Sequence, residues 1–352
     1  MTTSDDTSAT ATGRRKRDHL SLALSGDVGF ATVTTGLERL RIRSRALPER
    51  DLEAVDLSAQ VLGRTLAAPL LISCMTGGVS EAGAVNAALA VAAQRHRVAL
   101  GLGSGRIILE DDAAAASFAV RHLAPDALLL ANLGAVQLHE YDWRDCRRLV
   151  ERCEADALVL HLNAVQEAVQ PGGDTDFSGL VGRIAEVAER LDQPVVVKEV
   201  GFGLGPEDIA LLASAGVAGI DVAGAGGTNW ARIEGARDDR AGRVAAAFAD
   251  WGWPTAVAVD RVRRELDRLG SPALLIGSGG LADGVDALKV LCLGADLAGL
   301  ARGLLAAGAA GAEAAVETVG VLVEQLRIAA WAAGAGAVSD LEQELLEPAG
   351  PL

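Results

Sequence analysis

The chain has 352 residues, half of them hydrophobic but only 3% aromatic, and carries a formal charge of -15. That length and apolar content allow a large core, as one α/β barrel or two ordinary domains, and exclude disorder over most of the chain. The acidic balance excludes a general nucleic-acid binder, which needs a broad basic face, and no apolar run reaches the roughly 18–20 residues of a membrane span without charges or repeated glycines. A cytoplasmic protein is expected, with Cys74, Cys146, Cys153 and Cys292 as reduced thiols, because their scatter shows no metal-ligand spacing.

Residues 1–13, rich in Thr, Ser and Asp, read as a disordered tail. Residues 14–68 form an N-terminal arm and pre-barrel segment. It opens on a basic cluster, Arg14, Arg15, Lys16 and Arg17, followed by Asp18 and His19. Such clusters are ordinarily solvated tails or targeting signals, yet in an acidic chain a short cationic arm can also close over an anionic small molecule. Lys16 to Leu66 predict no long amphipathic helix, while Arg41, Arg43 and Arg45 alternate with apolar residues as in a strand. This segment is expected to plug the barrel bottom or pack at its rim.

From Pro69 the chain repeats one theme, a short apolar run, a polar or glycine-rich break and an Ala-rich helical stretch. The runs are Pro69–Met75, Val98–Gly103, Ala127–Asn132, Ala157–Asn163, Pro194–Val200, Ala218–Ala223, Ala273–Gly277 and Asp296–Ala301. Runs apolar on both faces read as parallel strands covered by helices, and eight of them predict a (β/α)8 TIM barrel over residues 69–311. An open doubly wound sheet would show a glycine-rich fingerprint after its first strand, where this chain has Thr76-Gly77-Gly78. The longest gap, between the sixth and seventh runs, holds Trp230, Trp251, Trp253 and a polar stretch from Glu234 to Arg243. It reads as an enlarged loop or extra helix over the mouth. Residues 312–352 are expected as C-terminal helices packing on the barrel, covering its first helices or mediating assembly.

Chemistry in such barrels gathers at the C-terminal strand ends. The fourth run, Leu158–Leu160, opens abruptly onto His161, Asn163, Gln166 and Glu167. Burying polar groups without partners costs about 1–3 kcal/mol each, so a solvent-filled mouth is their natural place. Glu167 is a hard oxygen donor suited to magnesium, and Gln166 a neutral group able to bind or relay a proton. Helix capping by Asn163 and Gln166 competes with that reading. Two glycine runs, Gly224–Thr228 and Gly277–Gly280, leave backbone N–H groups uncovered and, with a following helix N-terminus, make phosphate cradles. Lys198 ends the fifth run, where a buried ammonium needs a partner. It suits either a Schiff base or the electron-rich edge of a flavin; a salt bridge with Glu199 is disfavoured because adjacent strand residues point to opposite faces.

These residues resemble the type 2 isopentenyl-diphosphate isomerases, FMN-dependent barrels that interconvert isopentenyl and dimethylallyl diphosphate. The resemblance runs from Arg15 to about Gly303 and rests on RKRDH at Arg15–His19, MTGG at Met75–Gly78, GSGR at Gly103–Arg106, ANLGAVQL at Ala131–Leu138, HLNAVQE at His161–Glu167, KEVGFG at Lys198–Gly203 and GAGGTNW at Gly224–Trp230. It implies that Thr76, Gly77, Ser104, Asn132, Lys198, Thr228, Gly279, Gly280, Ala301 and Arg302 surround FMN. It further implies that Arg15, Lys16, His19, Ser104, Arg106, Asn132, His161, Asn163 and Gln166 hold the substrate, with Gln166 near the alkene. Glu167 would bind Mg2+, and Trp230 would wall the reacting centre. FMN would act in its reduced form, with NADPH as reductant, in a homo-oligomer of four or eight. No nucleic-acid or membrane partner is expected.

Three positions depart from the family pattern: Gly105, where Gln is common, Gly172, where Glu usually follows the proline, and Asn229, where Ser is frequent. Two other functions compete. An FMN-dependent α-hydroxyacid oxidase would need a His at the end of the sixth or seventh strand, and both ends lack one. A non-catalytic flavin- or phosphate-binding scaffold has no reason to retain His161, Gln166, Glu167 and Lys198 together.

Overall fold

Eight short strands close into a parallel barrel: β1 (Leu70–Ile72), β2 (Ala99–Gly101), β3 (Leu129–Gly134), β4 (Ala157–His161), β5 (Val195–Lys198), β6 (Gly219–Asp221), β7 (Leu274–Ser278) and β8 (Leu297–Leu300), with β8 returning to β1. Six lie within the apolar runs seen in the sequence, while β3 and β7 overrun theirs by two residues and one. The computed structural model describes residues 11–350, apart from the side chains of residues 11–16, 25, 112 and 113. Residues 1–10 of the expected tail, and the Arg15 and Lys16 side chains, lie outside the described residues.

The two-residue period of a strand sorts each run into two faces. Leu158 and Leu160 join the large cluster under the surrounding helices, whereas Ala157 and Val159 join a second cluster with Leu71, Ala99, Leu130, Val196, Ile276 and Leu297. That second set fills the barrel interior. Two residues further along each strand, the same inward face carries Ser73, Gly101, Asn132, His161, Lys198, Asp221, Ser278 and Gly299. The interior is therefore apolar at its base and polar at its mouth, and alternation alone delivers His161 and Lys198 to the site.

The base is sealed by an antiparallel hairpin, Ala59–Val61 with Arg64–Leu66, whose Val61 and Leu66 pack into the interior cluster. Each such fully buried side chain contributes roughly 1.5–3 kcal/mol. Arg64 Nη2 and Arg121 Nη2 reach Asp156 at 2.5 and 2.8 Å, fastening hairpin and barrel together. The upstream segment instead lies over the mouth: Ala256 N–H donates to Thr35 O at 2.9 Å, and Asn229 N–H donates to Val28 O at 2.7 Å. The pre-barrel segment thus both plugs the bottom and covers the rim.

Two sequence expectations need correction. A helix runs from Ala11 to Ser25, through the end of the expected tail and into a segment thought to hold no long helix. Its weak apolar periodicity is masked by the basic cluster, while Leu20 and Ala23 still find the core. At the other end, where helices are expected over 312–352, the helix Ala312–Ala333 stops at Gly334 (φ 84°). Beyond two short 3-10 turns, Leu346–Pro348 pairs antiparallel with Leu40–Ile42, the strand announced by the alternating arginines. The long helix itself packs on the first barrel helix, Ser80–His96, and on Gly284–Cys292 and Arg302–Ala310. The gap between β6 and β7 holds two added helices, Trp230–Gly235 and Asp239–Ala245. Among the described residues no helix is long and apolar enough to cross a membrane.

Candidate active site

A cavity of about 1160 Å³ opens at the C-terminal strand ends. Every expected site residue with a described side chain lines it, from His19, Thr76, Gly77, Ser104, Arg106 and Asn132 through His161, Asn163, Gln166, Glu167 and Lys198 to Thr228, Trp230, Gly279, Gly280, Ala301 and Arg302.

Asn132 Nδ2 donates to Leu102 O at 3.2 Å, which fixes its amide orientation, so Oδ1 is the atom 2.9 Å from His161 Nδ1. An amide oxygen only accepts, so His161 donates from Nδ1. Beyond His161 the chain turns into the helix Ala164–Val169. Asn163 occupies its N-cap position but makes no capping bond. Instead Asn163 Nδ2 donates to Glu167 Oε1 at 2.8 Å, and Asn163 Oδ1 is buried without a hydrogen-bond partner. Helix capping therefore explains neither Asn163 nor Gln166.

Gln166 Nε2 donates to Glu234 Oε1 at 2.9 Å. Glu234 is fully buried, and the same oxygen lies 2.9 Å from His19 Nε2 while Oε2 is 2.9 Å from Arg237 Nη1. Burial raises this carboxyl's pKa, but the bonds from His19, Gln166 and Arg237 outweigh it and hold Glu234 below the usual carboxylate value. Trp230 stands one turn earlier on the same helix and meets the His19 ring edge-on at 5.4 Å. Sequence reasoning missed Glu234. The signal was its i,i+4 spacing from Trp230, which places both on one helix face.

Lys198 is buried and donates to the Glu199 backbone oxygen at 2.6 Å. Its register neighbours are His161 and Asp221. The Glu199 carboxylate turns away, with one oxygen accepting from the N–H groups of Val200, Gly201, Phe202 and Gly203 at 2.5–3.2 Å. The disfavoured Lys198–Glu199 side-chain bridge is indeed not formed. Burial pushes Glu199 up to about 7 against the pull of those N–H groups and the Lys198 charge. Asp221 is likewise raised by burial, opposed by Lys198, by Ser278 Oγ at 2.5 Å and by Ala223 N–H. Cys74 also lines the cavity, its thiol pushed up to about 12 by burial, which leaves it a poor nucleophile.

The glycine turns fit a phosphate, with one refinement. A Cβ on Gly279 would collide with the Gly224 carbonyl oxygen, and one on Gly226 with the Thr35 nitrogen; both have positive φ, 112° and 119°. The helices after β6 and β7, however, are capped by Asn229 and Asp283, whose side chains take the first N–H groups. The nine-residue helix Arg302–Ala310 after β8, by contrast, has no side-chain cap. The cradle is thus the glycine backbone together with this third helix N-terminus, beside the buried Lys198, and the donor set fits the phosphate and ring of a flavin mononucleotide. For a divalent cation, Glu167 offers a hard carboxylate oxygen, while Asn163 turns its Nδ2 to that carboxylate and keeps Oδ1 buried without a partner. One carboxylate suits magnesium that takes its remaining ligands from a phosphorylated substrate and water.

The departures from the family pattern resolve structurally. Asn229 is the N-cap of Trp230–Gly235 and is fully buried. Gly172 sits at φ 71° in open space, and a side chain at Gly105 would press on Leu149.

The model of the FMN-dependent dehydrogenase family matches residues 174–348. Proteins of known structure with the same architecture include flavocytochrome b2 with sulfite bound, at 21% identity and a TM-score of 0.69 over 94% of this chain and 82% of that one. A mandelate oxidase variant with (S)-mandelic acid matches at 20% identity and a TM-score of 0.65 over 96% and 97%. These two show the fold alone. Sequence similarity is far greater to the isopentenyl-diphosphate delta-isomerase of Synechococcus sp., 49% identical over 92% of both chains. The enzyme of that name from Xanthobacter autotrophicus is 51% identical over 94% of this chain and 96% of its own. With likeness of that extent over nearly the whole of both partners, the chain belongs to the isopentenyl-diphosphate delta-isomerase family.

Proposed function

We propose that this protein is an isomerase that converts isopentenyl diphosphate to dimethylallyl diphosphate with FMN and Mg2+, the flavin being active when reduced. The observation that carries this reading is the 49–51% identity, across more than nine-tenths of each chain, to proteins named isopentenyl-diphosphate delta-isomerase. Moving the double bond requires a proton to enter an unactivated alkene and another to leave the neighbouring carbon. Reduced FMN supplies that acid/base chemistry with no net redox change.

The chain's own groups divide the remaining work. Thr76, Gly77, Ser104, Asn132, Lys198, Thr228, Gly279, Gly280, Ala301 and Arg302 hold the cofactor. Arg15, Lys16, His19, Ser104, Arg106, Asn132, His161 and Asn163 would hold the diphosphate, and Glu167 would hold the magnesium, which would supply charge neutralisation there. Gln166, its amide oriented by Glu234, lies near the reacting alkene and relays or orients the proton, and Trp230 shields the electron-poor centre from water. NADPH as reductant, a homo-oligomer of four or eight and a cytoplasmic location belong to the same reading. An α-hydroxyacid oxidase role finds no support, since the β6 and β7 ends carry no His.

The purified protein should be yellow and should turn over isopentenyl diphosphate after anaerobic reduction, in a magnesium-dependent manner. Bound FMN without turnover under any reducing condition would leave only the scaffold.

A further inference from the structure

Asp174 ends the tight turn Pro171–Gly172–Gly173 and touches two groups with separate assigned roles. Its Oδ2 accepts from Arg106 Nη1 at 2.9 Å and from Gln137 Nε2 at 3.4 Å. Its peptide N–H donates to Glu167 Oε2 at 2.9 Å. The turn is built onto Glu167: Gln170 Nε2 donates to the same oxygen at 3.3 Å, and Gly173 lies so close that a Cβ there would collide with the Glu167 carbonyl oxygen. Any displacement of Glu167 therefore carries Asp174 with it.

Arg106 is held from other directions as well. Nε donates to Glu110 Oε1 at 2.8 Å, and Nη2 lies 3.5 Å from Glu140. A guanidinium is a rigid planar fork of five N–H groups, so fixing Nε and Nη1 fixes where the remaining donors point. Glu110 is one turn along the helix of Arg106 itself, and among the described residues its hydrogen bonds run to Arg106 and not to the turn around Glu167. Asp174 is the residue that spans both groups.

We propose that Asp174 is a positioning residue that couples magnesium uptake at Glu167 to diphosphate binding at Arg106. The inference rests on the reading of Arg106 as an anion ligand and Glu167 as a metal ligand. A metal that settles Glu167 also settles the turn, and through the Asp174 carboxylate it aims Arg106 at the anion. Such a link appears as a coupling free energy, the ratio of diphosphate affinities with and without metal. The Asp174 side chain is half exposed, so its charge is partly screened and the link is modest.

The test is calorimetric titration of inorganic pyrophosphate into the FMN-loaded protein, with Mg2+ and with chelator, for wild type, Asp174→Asn, Asp174→Glu and Glu110→Gln. Attraction between metal and anion themselves is common to all four proteins, so differences between the ratios report the residue. Asp174→Asn keeps the peptide N–H on Glu167 and should lower the magnesium-dependent ratio about three- to tenfold, with Asp174→Glu intermediate. Glu110→Gln removes the same charge from Arg106 and should move both affinities together, leaving the ratio as in wild type. An unchanged ratio in Asp174→Asn, or an equal drop in Glu110→Gln, overturns the coupling while leaving the functional reading intact. Pyrophosphate binding indifferent to magnesium in wild type would instead overturn the reading on which it rests.

Discussion

The foot of β4 and the mouth around Lys198 belong to the same eight strands but treat their carboxylates in opposite ways. At the base, Asp156 is met by Arg64, Arg121 and the Leu129 N–H, and those bonds outweigh burial to hold its pKa below the usual value. At the mouth, burial keeps the Glu199 and Asp221 carboxyls raised, and Asn163 Oδ1 has no partner. Around Asp156 the base is a finished structure whose polar groups answer one another, although at the foot of β8 burial still raises Asp296. The mouth keeps one buried acceptor, Asn163 Oδ1, without a protein partner, the pattern expected when stability and function occupy opposite barrel faces.

Glycine gives the sharpest break between the ends. Gly279 at the mouth (φ 112°) and Gly63 in the hairpin at the base (φ 80°) both favour the absence of a side chain, but a Cβ on Gly63 meets nothing within 4 Å. Gly279→Ala should give a folded but colourless protein without activity. Gly63→Ala should cost about 1–2 kcal/mol for the left-handed backbone and leave flavin binding untouched. Absorbance at the flavin band and chemical unfolding of both variants decide this, and a yellow Gly279→Ala protein would remove the turn from the phosphate site.

Gln166→Ala should lower turnover at least about 100-fold, the scale of a lost acid–base group, with FMN retained. Turnover within a few-fold of wild type would reduce Gln166 to a packing residue. Asp156→Ala tests the opposite end. Removing the carboxylate takes one partner from Arg64 and Arg121 and leaves the Leu129 N–H unpaired, so unfolding free energy should fall by about 1–3 kcal/mol while the rate per folded, flavin-loaded molecule holds. A drop in that rate would show that the ends are not independent.

The fold was legible in the sequence because a parallel barrel repeats its pattern eight times, and no single run had to carry the inference. His161 and Lys198 were found because each stands at the polar end of an apolar run, and alternation then turns both inward. The Ala11–Ser25 helix was missed because its apolar face is narrow and its basic residues suggested a solvated arm. Glu234 was missed for another reason. A carboxylate in a polar stretch looks exposed until the chain folds back, and here it becomes fully buried between Gln166, His19 and Arg237. Helix capping at Asn163 seemed natural from local sequence, but the side chain serves Glu167 instead, a choice set by tertiary partners that spacing alone does not encode.

The smallest expected effect separates the ends by pH. Asp156, with its pKa lowered on folding, contributes stability that is present above the unfolded carboxylate value and is lost as pH falls through the folded one. Glu199 has the opposite sign. Raised to about 7 by burial, it binds its proton more tightly folded than unfolded, so its contribution is greatest at low pH, declines as pH rises from the ordinary glutamate range toward 7, and is flat above. Glu199→Gln keeps an oxygen for the loop N–H groups but removes the charge. The Tm of wild type minus that of Glu199→Gln should therefore fall by roughly 2–4 °C between pH 5 and 7.5 and then level off. A difference that does not change with pH would mean that the four N–H groups hold Glu199 ionised throughout, making the mouth, at this one residue, as fully answered as the base.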